Sequence, residues 1–113
     1  MKFILLIYDE EKAWAKLSQA EQQKIMAEYR ALGESLKASG HYLSGSQLAP
    51  VASAASVRVR QAKRMVTDGP FAETREQLGG YFLIEARDRD EAIAIAQRVP
   101  SARMGTVEVR PLV

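Results

Sequence analysis

Residues 79–100, GGYFLIEARDRDEAIAIAQRVP, contain a strand, a helix start and a helix stop in one short stretch. Gly79-Gly80 opens an apolar run, Tyr81 to Ala86, dense enough in Phe, Leu and Ile to suit a central strand. Asp88-Arg-Asp-Glu91 has the capping-box spacing, in which side chains at both ends satisfy the free N–H groups of a first helical turn. Ala92, Ile95, Ala96 and Val99 then share one helical face, and Pro100 stops the helix because it has no N–H to donate. A strand with a helix folded back on it is half of a two-layer α/β unit.

The same pattern opens the chain. Residues 2–8, KFILLIY, are a continuous apolar, β-rich run that reads as a strand buried on both faces. A polar stretch from Asp9 to Leu17 leads to Ser18-Gln-Ala-Glu21, a second capping-box spacing. Ile25, Tyr29, Leu32 and Leu36 follow on one helical face, and Gly40 lies where a left-handed C-cap is wanted. The spacing predicts a helix over 19–38.

Between the halves, His41 to Leu48 is a strand interrupted by Gly45, and Pro50 with the Ala/Ser run 51–56 is a loop. Val57 and Val59, then Met65 and Val66, mark two short strands around a turn at Gln61-Ala62-Lys63, ended by Asp68-Gly69-Pro70. Thr106 to Arg110 alternates Val107 and Val109 with Glu108 and Arg110, a half-buried last strand. The order is strand, helix, strand, hairpin, strand, helix, strand. This is an α+β chain on the ferredoxin-like split-βαβ plan with an inserted β-hairpin, one domain over 1–113. Two helices cover one face of such a sheet. A second copy covering the other would give a homodimer, a dimeric α/β barrel.

Composition narrows the function classes. Of 113 residues, 47% are hydrophobic and 27% charged, ordinary globular values. Sixteen Lys and Arg stand against fourteen Asp and Glu, a net charge of only +2. Arg58, Arg60, Lys63 and Arg64 cluster at the hairpin turn, which reads as a solvated tip. No basic stripe with aromatic partners predicts nucleic-acid binding. The chain has no cysteine and one histidine, His41, so thiolate catalysis, disulfides, Cys-based zinc sites and multi-histidine metal sites are excluded within one chain. No Gly-rich phosphate loop is present, and no cofactor or metal is expected. The run Phe3 to Tyr8 is too short for a signal-peptide core or a membrane span, so the expected location is cytoplasmic, away from membranes.

Residues 67–83, TDGPFAETREQLGGYFL, together with FILLIYDE (3–10), IMAEYRAL (25–32) and GTVEVRPL (105–112), resemble the YCII-related family in its DGPF-containing branch. The resemblance covers essentially the whole chain. It implies a ferredoxin-like fold, a dimer, and a small-molecule pocket between sheet and helices lined partly by the DGPF loop. It also implies a gene neighbourhood with extracytoplasmic-function sigma factors, and so a sigma factor as a candidate partner. The other branch carries a helix histidine that works with an aspartate. That position falls near Tyr29, and this helix has no histidine, so a His–Asp pair does not carry over.

Candidate site residues follow. Asp68 is the first choice for a general base, provided burial raises its pKa. The structural alternative is an Asx-type turn, with the carboxylate accepting backbone N–H groups. Phe71 is expected to anchor the loop in the apolar interior. Arg75 is a candidate clamp for a substrate carboxylate or, alternatively, a solvated loop charge. Tyr29 is either a pocket phenol that donates to a substrate oxygen or a core aromatic, and Tyr8 and Tyr81 carry the same two readings. His41, just past a helix C-terminus that favours its protonated form, has no recognisable Ser or Asp partner in sequence. Two functions fit. One is a cofactor-independent enzyme performing acid/base elimination or isomerisation on a small polar or aromatic compound. The other is a non-catalytic ligand-binding or regulatory module associated with a sigma factor.

Overall fold

A computed structural model describes every residue, Met1–Val113. Its elements are β1 (Lys2–Asp9), α1 (Glu11–Ala15), α2 (Gln19–Ala38), β2 (Tyr42–Gln47), β3 (Ala55–Arg60), β4 (Lys63–Asp68), β5 (Gln77–Glu85), α3 (Arg89–Ala96) and β6 (Thr106–Pro111). Short 3-10 turns lie at Val51–Ser53 and Pro100–Arg103. Strands β2-β5-β1-β6 form one antiparallel four-stranded sheet, and β3-β4 form a separate hairpin. The chain is therefore α+β, with the central strands β1 and β5 coming one from each half.

Local chemistry fixes the helix ends. At α2, the Ser18 hydroxyl accepts from the Glu21 N–H at 3.1 Å, and the Ser18 N–H donates to the Glu21 carboxylate at 3.4 Å. At its other end Gly40 has φ +80°, and the His41 N–H turns back to the Leu36 carbonyl at 3.0 Å. Asp88 caps α3 by accepting from the Glu91 N–H at 2.9 Å. Ser18→Ala should cost about 1 kcal/mol. Urea unfolding should show this as a lower midpoint with an unchanged slope.

Strand alternation decides what is buried. Phe3, Leu5 and Ile7 of β1 and Ile84 of β5 point toward the helices, where Leu32, Leu36, Ala92, Ile95, Ala96 and Val99 close the core over them. The expectation that β1 is buried on both faces is corrected. Ile4, Leu6 and Tyr8 point to the opposite side, which no element of the chain covers, and are only half-buried. Cross-strand pairing puts Leu78, Tyr81 and Leu83 of β5 on that same open face. Gly79 is the extra residue of a β-bulge, since the register slips between Ile7 and Tyr8.

The hairpin turn is tighter than expected. Gln61 and Ala62 both have positive φ, 51° and 61°, the conformation of a two-residue turn that follows the twist of its strands. Helix α1 was not anticipated, because five residues are too few to display a helical period. No helix is long and apolar enough to cross a membrane.

Candidate active site

The alternation that buries Phe3, Leu5 and Ile7 continues to Asp9, which lies on the helix side at the end of β1. Opposite it is Ser101, 2% exposed, held in the 3-10 turn that begins at Pro100. The Ser101 hydroxyl donates to Asp9 Oδ2 at 2.6 Å. Tyr29, on α2, brings its hydroxyl to 2.5 Å from Ser101 Oγ. A serine hydroxyl has one proton. With that proton given to Asp9, the phenol is the donor to Ser101, and a directed chain runs Tyr29 to Ser101 to Asp9.

Two features make this carboxyl unusual. Burial pushes the Asp9 pKa up from 3.8; the Ser101 hydrogen bond pulls it back down, and the neighbouring Glu76 carboxylate raises it again. Tyr29 is likewise pushed above 10.0, first by burial, with the Ser101 hydrogen bond opposing and the Asp9 charge adding to the rise. Moreover, Asp9 Oδ1 has no protein partner, yet no fully buried side-chain polar atom lacks one. Oδ1 therefore faces accessible space and is free to take a proton. Ser101→Ala should raise the Asp9 pKa further, because the lost hydrogen bond favours the charged form. A carbon-detected NMR titration of the carboxyl reads this directly.

Asp9 also lines a cavity of about 790 Å³ between α2 and the β5-β2 half of the sheet, bordered by α1 and the segment at Leu48 and Pro50. Asp9, Tyr29 and Ser101 line it together with Trp14, Tyr42 and Phe82. The Phe82 ring stacks at 6.4 Å on Tyr29 and meets Tyr42 edge-on at 6.2 Å. Gly45 makes room for that ring: a Cβ there would lie 2.7 Å from Phe82 Cδ1. The result is an aromatic-walled hollow with a carboxyl and a phenol along its lining. No group of three or more His, Cys, Asp or Glu converges in a way that could hold a metal ion.

The structure brings only part of the predicted site together. Tyr29 lines the cavity; Tyr81 borders it too, but its pairing with Leu6 puts its side chain on the open face of the sheet. Tyr8 is on the open sheet face, its hydroxyl 3.5 Å from Glu108. Asp68 ends β4 on the exposed hairpin, and none of residues 68–71 lines the cavity. The Asp68 carboxylate does not hold a turn either, since the Gly69 N–H bonds to the Ala54 carbonyl at 2.6 Å. The expected anchoring of Phe71 is corrected: the ring is 80% exposed, because the loop from Gly69 follows a hairpin that lies outside the core. Arg75 is 91% exposed and 3.7 Å from Glu10, a solvated loop charge.

His41 does find partners. Its Nδ1 is 2.6 Å from Ser39 Oγ and its Nε2 is 3.2 Å from Glu91. The Arg87 backbone N–H, then the Arg87 charge and His41, hold the Glu91 carboxyl below its usual range. None of Ser39, His41 and Glu91 lines the cavity; the set ties the end of α2 to the start of α3.

Asp9 and Ser101 escaped the sequence reading. Asp9 was legible in principle, as the next odd position after Phe3, Leu5 and Ile7. Ser101 had no signal, since a serine after a helix-stopping proline is ordinary.

Fold and site define a small α+β domain that encloses a protonatable carboxyl in an aromatic pocket. A sequence profile of the YCII-related domain matches residues 1–113, and the chain belongs to that family. It is also similar to "Uncharacterized protein R00369" of Rhizobium meliloti (strain 1021), at 34% identity over 114 residues, covering 99% of this chain and 92% of the relative.

Proposed function

We propose that this YCII-related protein, of the DGPF-containing branch, is a cofactor-independent acid/base enzyme for a small organic compound. Asp9 takes the base role first given to Asp68. The observation that carries the reading is the chain from Tyr29 through Ser101 to Asp9, with a burial-raised carboxyl, inside a cavity of ligand size. A general base works best with a pKa near the working pH. Asp9 Oδ1 removes a proton from carbon next to a carbonyl, and the electron pair moves into the carbonyl oxygen. The Tyr29 O–H, turned from Ser101 about its C–O bond, donates to that oxygen. The enolate then takes that proton back from Asp9 at a different carbon of its conjugated system, an isomerisation, or expels a β-leaving group that carries the proton away from Asp9, an elimination.

The test is a panel of small carbonyl compounds in D₂O. Protein-dependent replacement of a C–H by deuterium, followed by NMR, is the expected result. Exchange that persists undiminished in the Asp9→Asn protein would remove Asp9 from the mechanism.

We further propose a homodimer, with the open faces of two sheets packed together as a ferredoxin-like barrel. The support is the uncovered apolar set Ile4, Leu6, Tyr81 and Leu83. A second functional reading, a regulatory module that contacts a sigma factor, is favoured by the hairpin. Val57, Val59 and Val66 share one of its faces, 62%, 59% and 46% exposed, while Arg58, Arg60 and Lys63 share the other. A specific complex with the neighbouring sigma factor, without turnover on the panel, would select it.

A further inference from the structure

The lining of the cavity narrows the ligand class. Met26, Arg30, Gly33 and Lys37 all line it, and their spacing puts them on one stripe of α2. Gly33 is unusual in this stripe. It sits in the interior of a 20-residue helix, where glycine is about 1 kcal/mol less favourable than alanine. Nothing would obstruct a side chain, since a Cβ there would meet no atom within 4 Å. The helix backbone is thus laid bare to the cavity at this point. A flat group can approach it to contact distance, and any side chain would block that approach.

The charges flanking Gly33 can be balanced one by one. Lys37 has neighbours of its own: its Nζ lies 5.1 Å from the Tyr42 ring centroid and 4.0 Å from the Glu34 carboxylate. The Glu11 carboxylate accepts from the Val51 N–H at 3.0 Å. Asp9 is occupied on one oxygen by Ser101. Arg30 alone among the charged lining residues has neither an ion pair nor a side-chain hydrogen bond. Arg30 is an exposed residue that also lines the cavity, about one turn from Gly33 and next in sequence to Tyr29. Planar guanidinium matches carboxylate geometry with two parallel hydrogen bonds.

We propose that the cavity binds a flat aromatic or unsaturated carboxylic acid. Its ring lies against the α2 backbone at Gly33, among Trp14, Tyr42 and Phe82, and its carboxylate is held by Arg30. This rests on the cavity being the reaction site proposed above, and it adds the polarity of binding: the charged end outward, the reacting end toward Asp9 and Tyr29.

The test uses the full chain and a matched pair of probes, 1-naphthoate and 1-naphthamide, followed by calorimetry and by amide NMR shifts. Naphthoate should bind about ten-fold or more tighter than the amide, a difference one charge-assisted contact supplies. Arg30→Gln should erase that difference and leave amide binding unchanged. Gly33→Leu should weaken both probes about ten-fold or more while the melting temperature holds or rises, because leucine is the better helix former. Naphthoate binding as tightly to the Gly33→Leu protein as to wild type overturns the ring position. Equal affinity of acid and amide, both shifting Tyr29 and Phe82, overturns the carboxylate assignment but leaves the cavity as the site. If neither probe shifts those residues, the proposal and the site reading fall together.

Discussion

Replacing Asp9 by Asn should lower turnover by about 10²–10⁴-fold and yet leave the protein more stable at neutral pH. The first part follows from removing the cavity-lining carboxyl whose pKa burial raises. Asn keeps an oxygen to accept the Ser101 hydroxyl, so the chain from Tyr29 stays intact and the loss reports on chemistry, not on folding.

The second part follows from linkage. Burial raises the folded-state pKa of Asp9 above its ordinary 3.8. A raised pKa means that the folded chain holds the proton more tightly than the unfolded one. The stabilisation is complete below the unfolded pKa and is lost as pH rises through the folded value. At neutral pH the buried charge is therefore a net cost, and the uncharged amide escapes it. The melting temperatures of the two proteins should diverge as pH rises through the folded pKa and converge toward pH 3.8. Tyr29 acts in the same sense at the alkaline end, since its raised pKa removes stability as pH climbs past 10.0. Calorimetry from pH 4 to 8 decides the matter. A gap that narrows with rising pH would show that the fold favours the Asp9 charge, and the base assignment would go with it.

Leu83→Asp should convert a dimer into monomers without unfolding the chain. Leu83 is on the open face of β5, between Ile4 of β1 and Ser44 of β2. In one chain this position is half-exposed, so an aspartate there is solvated and costs the monomer little. Between two facing sheets the same carboxylate would be buried without a partner, a penalty of about 3–5 kcal/mol at each of two symmetric positions. Light scattering should give twice the 12.5 kDa chain mass for wild type and the single mass for the variant, with unchanged far-UV circular dichroism. A wild-type mass of 12.5 kDa at micromolar concentration would refute the dimer outright.

Much of the site was hidden from a linear reading, and the reasons differ by residue. Asp68 stood out because Asp-Gly-Pro-Phe is a rare string, but rarity marks a tight turn as readily as a reaction centre. In the folded chain that turn follows a hairpin with no core of its own, so neither Asp68 nor Phe71 reaches an enclosed space. Tyr29 was visible because it belongs to the apolar helix stripe. Its partners come from β1 and from the turn after α3, with Ser101 lying 72 positions away in sequence.

By itself the sequence determined the elements long enough to show a side-chain period or a cap, which leaves out the five-residue α1. The capping box at Ser18, the left-handed Gly40, the Asp88 cap and the apolar periods set α2, the start of α3 and the sheet strands, since turn chemistry and side-chain period act over a few residues. Helix α3 itself ends at Ala96, ahead of the expected stop at Pro100. Tertiary structure alone decided which carboxyl has its pKa raised. Raising a pKa takes desolvation, and desolvation comes from packing β1, α2 and the α3–β6 turn around one point. No local pattern in the chain records that convergence.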